Sequence, residues 1–247
     1  MKDMIIQKLH EIEEKVKIKI LFACESGSRA WGFDSEDSDY DVRFIYVRHK
    51  EDYLSLFPKR DVIEWELSDI YDINGWDLSK ALRLLYSSNP TLYEWKHSPI
   101  IYYETPEWKS IDLVFDYYFQ THRSLYHYYH MTKTTYQRPK TLKRYLYALR
   151  SILSCLYIIE YKTSPPIELR VLVDIMLSDD MKDYVYSLLE MKKTQKEKDS
   201  FPESFLLNNY IEEQLIFIEP YLKSHKIHLD HQLLDKTFLS ILNAIYP

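Results

Sequence analysis

The chain has 247 residues, 46% hydrophobic and 28% charged, with a formal net charge of −6. That balance belongs to a globular protein of one large or two small domains. Two cysteines in this length exclude a disulfide framework, no apolar run approaches the ~18 residues of a membrane span, and only three glycines suit a helix-rich fold with few tight turns.

Residues 2–16 carry Met4, Ile5, Leu9, Ile12 and Val16 at helical spacing, which predicts an amphipathic helix. This segment is charged throughout, with no apolar leader or cleavage site. Cys24 and Cys155 each sit in an apolar run and read as buried free thiols. Both observations point to the cytoplasm. KIKILFA (17–23) reads as a strand and SGSRAWGF as a turn opening a short helix. SDYDVRFIYV (38–47), DVIEWEL (61–67) and IYDI (70–73) read as further strands. A helix is expected from 77, with Gly75 before it. Further helices are expected over 90–96, 107–136, 140–161, 167–177, 181–194, 203–223 and 230–244, punctuated by prolines 90, 99, 106, 139, 165, 166 and 202. The polar stretch 191–202, with Lys192, Lys193, Lys196 and Lys198, reads as a surface connection.

The expected architecture is α+β. A small mixed sheet fills residues 1–100 and a mostly helical domain fills 101–247, with a soft boundary.

Two of the three glycines, Gly27 and Gly32, stand just ahead of five carboxylates in eight residues: Asp34, Glu36, Asp37, Asp39 and Asp41. Two residues apart on a strand, Asp39 and Asp41 share a face, with Cα atoms roughly 6.5 Å apart. Such a pair can share a divalent cation, and oxygen ligands select Mg²⁺ or Mn²⁺. Eleven residues before Asp39, Gly27-Ser28 lies where a strand gives way to a short helix. Backbone N–H groups at such a turn suit phosphate, glycine permits close approach, and Ser28 adds a hydroxyl. Arg29 either touches phosphate or lies on the helix surface. Trp31 is expected to pack rather than to stack on a base.

The strings Gly27-Ser28-Arg29-Ala30 and Asp37-Ser38-Asp39-Tyr40-Asp41 resemble the signature of the polymerase-β-type nucleotidyltransferase superfamily. The longer text, with DINGWDLSKALRLL, SNPTLYEW and KRYLYALRSIL, resembles the bacterial YcgL-like family of predicted nucleotidyltransferases, some linked to RNA repair. The likeness runs over about residues 17–160. It implies a palm-like sheet domain and a third metal carboxylate on a neighbouring strand, for which Asp72 is the candidate and Asp77 the runner-up. Asp77 can equally cap the helix that follows. Gly75 lies between them, so all three glycines fall in the expected site region. The resemblance also implies Mg²⁺ (or Mn²⁺) held by Asp39, Asp41 and Asp72, an NTP substrate, and transfer of NMP to an acceptor hydroxyl with loss of pyrophosphate.

Between Asp116 and Glu160 there are seven positive charges and no acid, a local site for an anion inside an acidic protein. Lys143, Tyr147, Arg150 and Ser154 form one helical stripe, and Lys143 and Arg150 are expected to face the cleft and contact phosphates. Nine interleaved tyrosines (117, 118, 126, 128, 129, 136, 145, 147 and 157) add aromatic faces that suit single-stranded nucleic acid, although most are expected to pack. His122, His127 and His130 lack a matching Cys or carboxylate at zinc spacing. The link to RNA repair that the resemblance implies, together with the basic aromatic segment, makes an RNA 3′ end the expected acceptor, with a protein or small-molecule hydroxyl as alternatives. A non-catalytic nucleotide sensor or antitoxin-like partner on the same fold is the reading from another class.

Overall fold

The computed structural model describes residues 1–137, 141–194, 201–223 and 229–247. The expected α+β class is what the chain adopts. In order the elements are α1 (Lys2–Val16), β1 (Lys19–Glu25), α2 (Gly27–Trp31), β2 (Tyr40–Val47), α3 (Lys50–Tyr53), β3 (Val62–Leu67), β4 (Tyr71–Asp77), α4 (Leu78–Tyr86), α5 (Pro90–Lys96), β5 (Ile101–Glu104), α6 (Pro106–Lys109), α7 (Asp112–Tyr118), α8 (Thr121–Tyr136), α9 (Leu142–Tyr161), α10 (Leu169–Met176), α11 (Asp179–Thr194), α12 (Phe205–Ile218) and α13 (Gln232–Ile245), with a 3-10 turn at Glu219–Leu222.

These elements form two compact units, each discontinuous in sequence. The first comprises Met1–Gly27, Asp39–Tyr118 and His228–Pro247; the second comprises Ser28–Ser38 and Phe119–Ile227. The longer segment of the second unit begins at Phe119.

The first unit holds a five-stranded sheet in the order β3-β4-β2-β1-β5. β2 and β4 run parallel, and every other pair is antiparallel. Alternation sorts the side chains of β2. Val42, Phe44 and Tyr46 join a buried cluster with Ile5, Leu9 and Ile12 of α1. Asp41 and Arg43 therefore point to the opposite face. On β1, Phe22 stacks on Trp108 of α6 at 5.0 Å between centroids, and Trp76 of β4 stacks on Trp95 of α5 at 3.9 Å. α4 starts at the end of β4, where the Asp77 carboxylate accepts from the Ser79 N–H at 2.9 Å. Cys24 is a buried free thiol, pushed to high pKa by its burial.

The second unit is organised around α9, with Tyr145, Leu146, Leu149, Ile152 and Leu153 in one core with residues of α8, α10, α11 and α12. Thr141 caps α9 through the Arg144 N–H at 3.3 Å. The segment Ser28–Ser38 packs into the same unit, where Phe33 is a core residue. Trp31 meets Tyr147 edge-on at 5.0 Å, so it packs as expected. Among the described residues no helix is long and apolar enough to cross a membrane.

Several sequence expectations give way here. The span 107–136 is three helices, α6 to α8. A four-residue strand, β5, pairs with β1 in a stretch for which the sequence predicts no element. Lys192 is buried, not on a surface connection, and its ammonium donates to Ser35 Oγ at 2.7 Å. Burial of an ammonium requires such a partner.

Candidate active site

β1 ends at Glu25, and the chain turns at Gly27 with φ +61°. Glycine is required there twice over. The left-handed backbone disfavours any Cβ, and a Cβ would stand 1.9 Å from Asp41 Oδ2. The bare turn is therefore the space into which the Asp41 carboxylate fits. Gly32 also has positive φ, but a Cβ there meets nothing within 4 Å, so it serves the turn alone. Gly75 serves a third purpose, away from the site: its Cβ would lie 2.2 Å from Phe44 Cε2. The clustering of the three glycines thus has three separate causes.

Glu25 fixes Asp41 from below. Its side chain, 1% exposed, accepts from the Asp41 N–H at 2.9 Å and from the Tyr102 hydroxyl. The Tyr102 hydroxyl is driven to high pKa first by burial and then by this carboxylate, so it stays a donor. The Ser26 N–H donates to the Asp41 carbonyl at 2.8 Å. The Gly27 turn and the first turn of β2 are thereby sewn together.

The parallel pairing of β2 with β4 sets Asp41 opposite Asp72 and Tyr46 opposite Asp77. Asp72 is thus the carboxylate beside Asp41. Asp77, at the other end of β4, caps α4 and accepts from the Tyr53 hydroxyl at 2.9 Å. Asp39 lies just before the first residue of β2 and is partly buried. Arg43, two residues beyond Asp41 on the same face, bridges the pair. Its Nη2 donates to Asp41 Oδ1 at 2.7 Å and to Asp72 Oδ2 at 2.6 Å. Its Nη1 donates to the Asp72 carbonyl at 2.7 Å and the Val42 carbonyl at 3.2 Å.

Sequence reasoning missed Arg43 and Glu25. The signal for Arg43 was present as a cation continuing the alternation of Asp39 and Asp41. Glu25 carried none, since its partners come from β2 and β5.

Among the described residues no group of three or more His, Cys, Asp and Glu side chains is arranged to hold a metal ion. Two carboxylates nevertheless converge on one cationic nitrogen, which is a position a hard cation suits. The donor set, oxygen only and from Asp41 and Asp72, fits Mg²⁺ or Mn²⁺ rather than a softer metal.

The remaining expected residues belong to the second unit. Ser28 is buried, 3.3 Å from Ser38 Oγ. Arg29 donates to the Ser38 carbonyl at 2.6 Å and pairs with Asp34 at 3.1 Å. Arg150 is 2% exposed; its Nε donates to the Ile167 carbonyl at 2.8 Å, and its guanidinium lies 4.3 Å from the Trp31 ring centroid. That position is inside a core rather than on a cleft wall. Lys143 lies over the Tyr147 ring at 5.6 Å and is partly buried. Of the nine tyrosines, 118, 128, 129 and 145 are core residues, while 117 and 126 are exposed. His127 and His130 pack against tyrosine rings. Arg138 and Lys140 lie outside the described residues.

A left-handed glycine turn, paired strand aspartates and a small mixed sheet define the class of polymerase-β-like nucleotidyltransferases. The chain belongs to the RlaP family, described as the RNA repair pathway DNA polymerase beta family, whose model matches residues 1–240. It is 40% identical over 222 residues to the uncharacterized protein YcgL of Bacillus subtilis (strain 168), covering 87% of this chain and 85% of that one. Among solved structures it is similar to a nucleotidyltransferase-like protein from Exiguobacterium sibiricum 255-15. That likeness has 13% identity and a TM-score of 0.32, and covers 88% of this chain and 74% of the other.

Proposed function

We propose that the protein transfers NMP from an NTP to an acceptor hydroxyl, with an RNA 3′ end as acceptor, using Mg²⁺ or Mn²⁺ held by Asp39, Asp41 and Asp72. The observation that carries the reading is the convergence of Asp41 and Asp72 on a single cation position beside the Gly27 turn. When bound, a divalent ion supplies charge neutralisation on the phosphates and lowers the pKa of the acceptor hydroxyl.

The chain's own groups do the rest. The Gly27 turn receives phosphate oxygens. Glu25 and Gly27 hold Asp41 in one orientation, which supplies the positioning that in-line transfer demands. The acceptor oxygen bonds to the α-phosphorus as the bond to the α–β bridging oxygen breaks. Pyrophosphate leaves, and the hydroxyl proton passes to Asp72 or to solvent. The family's description as an RNA repair pathway supports RNA as the acceptor.

The test is transfer of radiolabel from each α-labelled NTP, with Mg²⁺, to fractionated cellular RNA, protein and small molecules. Labelled RNA and released pyrophosphate are expected. Joint replacement Asp39→Ala and Asp41→Ala should lower turnover by about 10³-fold, the scale of losing preorganised charge stabilisation. Turnover that survives the double replacement would end the catalytic reading. Tight NTP binding with no product in any fraction would favour the sensor.

A further inference from the structure

We infer that Arg43 is the resident cation of this centre, and that a divalent ion binds by displacing its Nη2 from Asp41 and Asp72. The inference rests on the reading that these two aspartates hold the ion. It concerns what holds them before the ion arrives.

Parallel pairing fixes Asp41 and Asp72 side by side, and two carboxylates so placed repel each other. A single nitrogen, Arg43 Nη2, lies 2.7 Å from one and 2.6 Å from the other. The three side chains are 13%, 22% and 26% exposed for Arg43, Asp41 and Asp72. Solvent therefore screens the contact only in part, and charge-assisted hydrogen bonds of this length are strong. A divalent ion takes carboxylate oxygens at ~2.1 Å. It would stand within a few ångströms of a guanidinium already seated on the same oxygens, where like charges repel. Both cannot occupy the position.

Displacement does not require Arg43 to leave. Nη1 is held separately by the carbonyls of Asp72 and Val42, so rotation of the guanidinium about those anchors frees Nη2. A point charge without the fork has no such pair of anchors. Lysine would hold the aspartates with one ammonium and yield more readily.

The experiment is a Mn²⁺ titration of the full-length chain without nucleotide, reading free Mn²⁺ by electron paramagnetic resonance. Wild type, R43Q, R43K and D41N are compared after circular dichroism confirms folding. R43Q is expected to bind Mn²⁺ about tenfold tighter or more, the scale of a charge-assisted hydrogen bond no longer competing. R43K should fall between R43Q and wild type, and D41N should bind more weakly than wild type. If R43Q does not fold, R43K decides: tighter binding supports displacement, and equal or weaker binding overturns it. If R43Q matches or falls below wild type while D41N loses the ion, displacement is wrong and the metal reading stands. If wild type and R43Q both fail to bind Mn²⁺ saturably at millimolar concentration, both readings fall.

Discussion

At the scale of single residues, Gly27 and Asp41 act as one unit. An alanine at 27 would meet a left-handed backbone and place its Cβ 1.9 Å from Asp41 Oδ2. The backbone conformation alone costs about 1–2 kcal/mol, and relief of the clash requires the carboxylate to turn away. Gly27→Ala is therefore expected to lower stability modestly and transfer activity severely, to the level of Asp41→Asn. Thermal unfolding and the radiolabel assay read the two effects separately. Full activity in a folded Gly27→Ala protein would show that Asp41 does not need its present orientation. The Gly27 turn and the place of Asp41 on β2 were legible in the sequence because a turn glycine and strand alternation carry their meaning locally, whereas Asp39, expected on the same strand, lies just before it. The partnerships of Glu25 and Arg43 were not, because their acceptors and donors come from strands distant in sequence. Lys192 was misread for the same reason: its burial depends on Ser35, 157 residues away.

At the scale of elements, the register of β2 on β4 decides the site, and no local pattern encodes it. The expected strand ends at residue 73, with Gly75 ahead of the helix expected from 77. The strand runs on to Asp77 because Gly75 faces Phe44 across the ladder and leaves room for its ring. A Cβ on residue 75 would lie 2.2 Å from Phe44 Cε2 in a fully buried contact. Gly75→Ala is expected to destabilise the protein by about 1–3 kcal/mol, the usual cost of overpacking. Phe44→Leu in the same chain should return part of that loss, so the double mutant is more stable than the two single losses sum to. Chemical denaturation of the four chains checks the cycle, and simple additivity would show that the two residues do not meet. β5 and the breaks between α6, α7 and α8 escaped the sequence for a related reason. β5 has four residues at a sheet edge, and the breaks at Ser110 and Gln120 carry no proline or glycine. Long periodic segments such as α1 and α9 were legible to within a few residues because buried apolar positions recur along their length.

At the scale of the whole molecule, the 23 tyrosines set the behaviour at high pH. Burial pushes the Tyr46 and Tyr210 hydroxyls up to about 12. It raises those of Tyr53, Tyr93 and Tyr102 as well, with Asp77 adding to the shift at Tyr53 and Glu25 at Tyr102. A tyrosine is neutral when protonated, and in the unfolded chain it ionises near pH ~10. A raised folded value means that the unfolded state loses its protons first. The stability from these groups is complete below pH ~10 and is lost as the pH climbs through the folded values. These hydroxyls lie in both units, Tyr46, Tyr53, Tyr93 and Tyr102 in the first and Tyr210 in the second, so alkali attacks both cores. Tyrosinate absorbance at 295 nm is therefore expected to include a steep step between pH ~10 and ~12 that coincides with loss of far-ultraviolet circular dichroism. Replacing Tyr210 with Phe removes one such proton from the second unit and should move that step to higher pH. Ionisation of every tyrosine with the helical signal intact would mean that these hydroxyls reach solvent without unfolding, and that the cores described here are open to water.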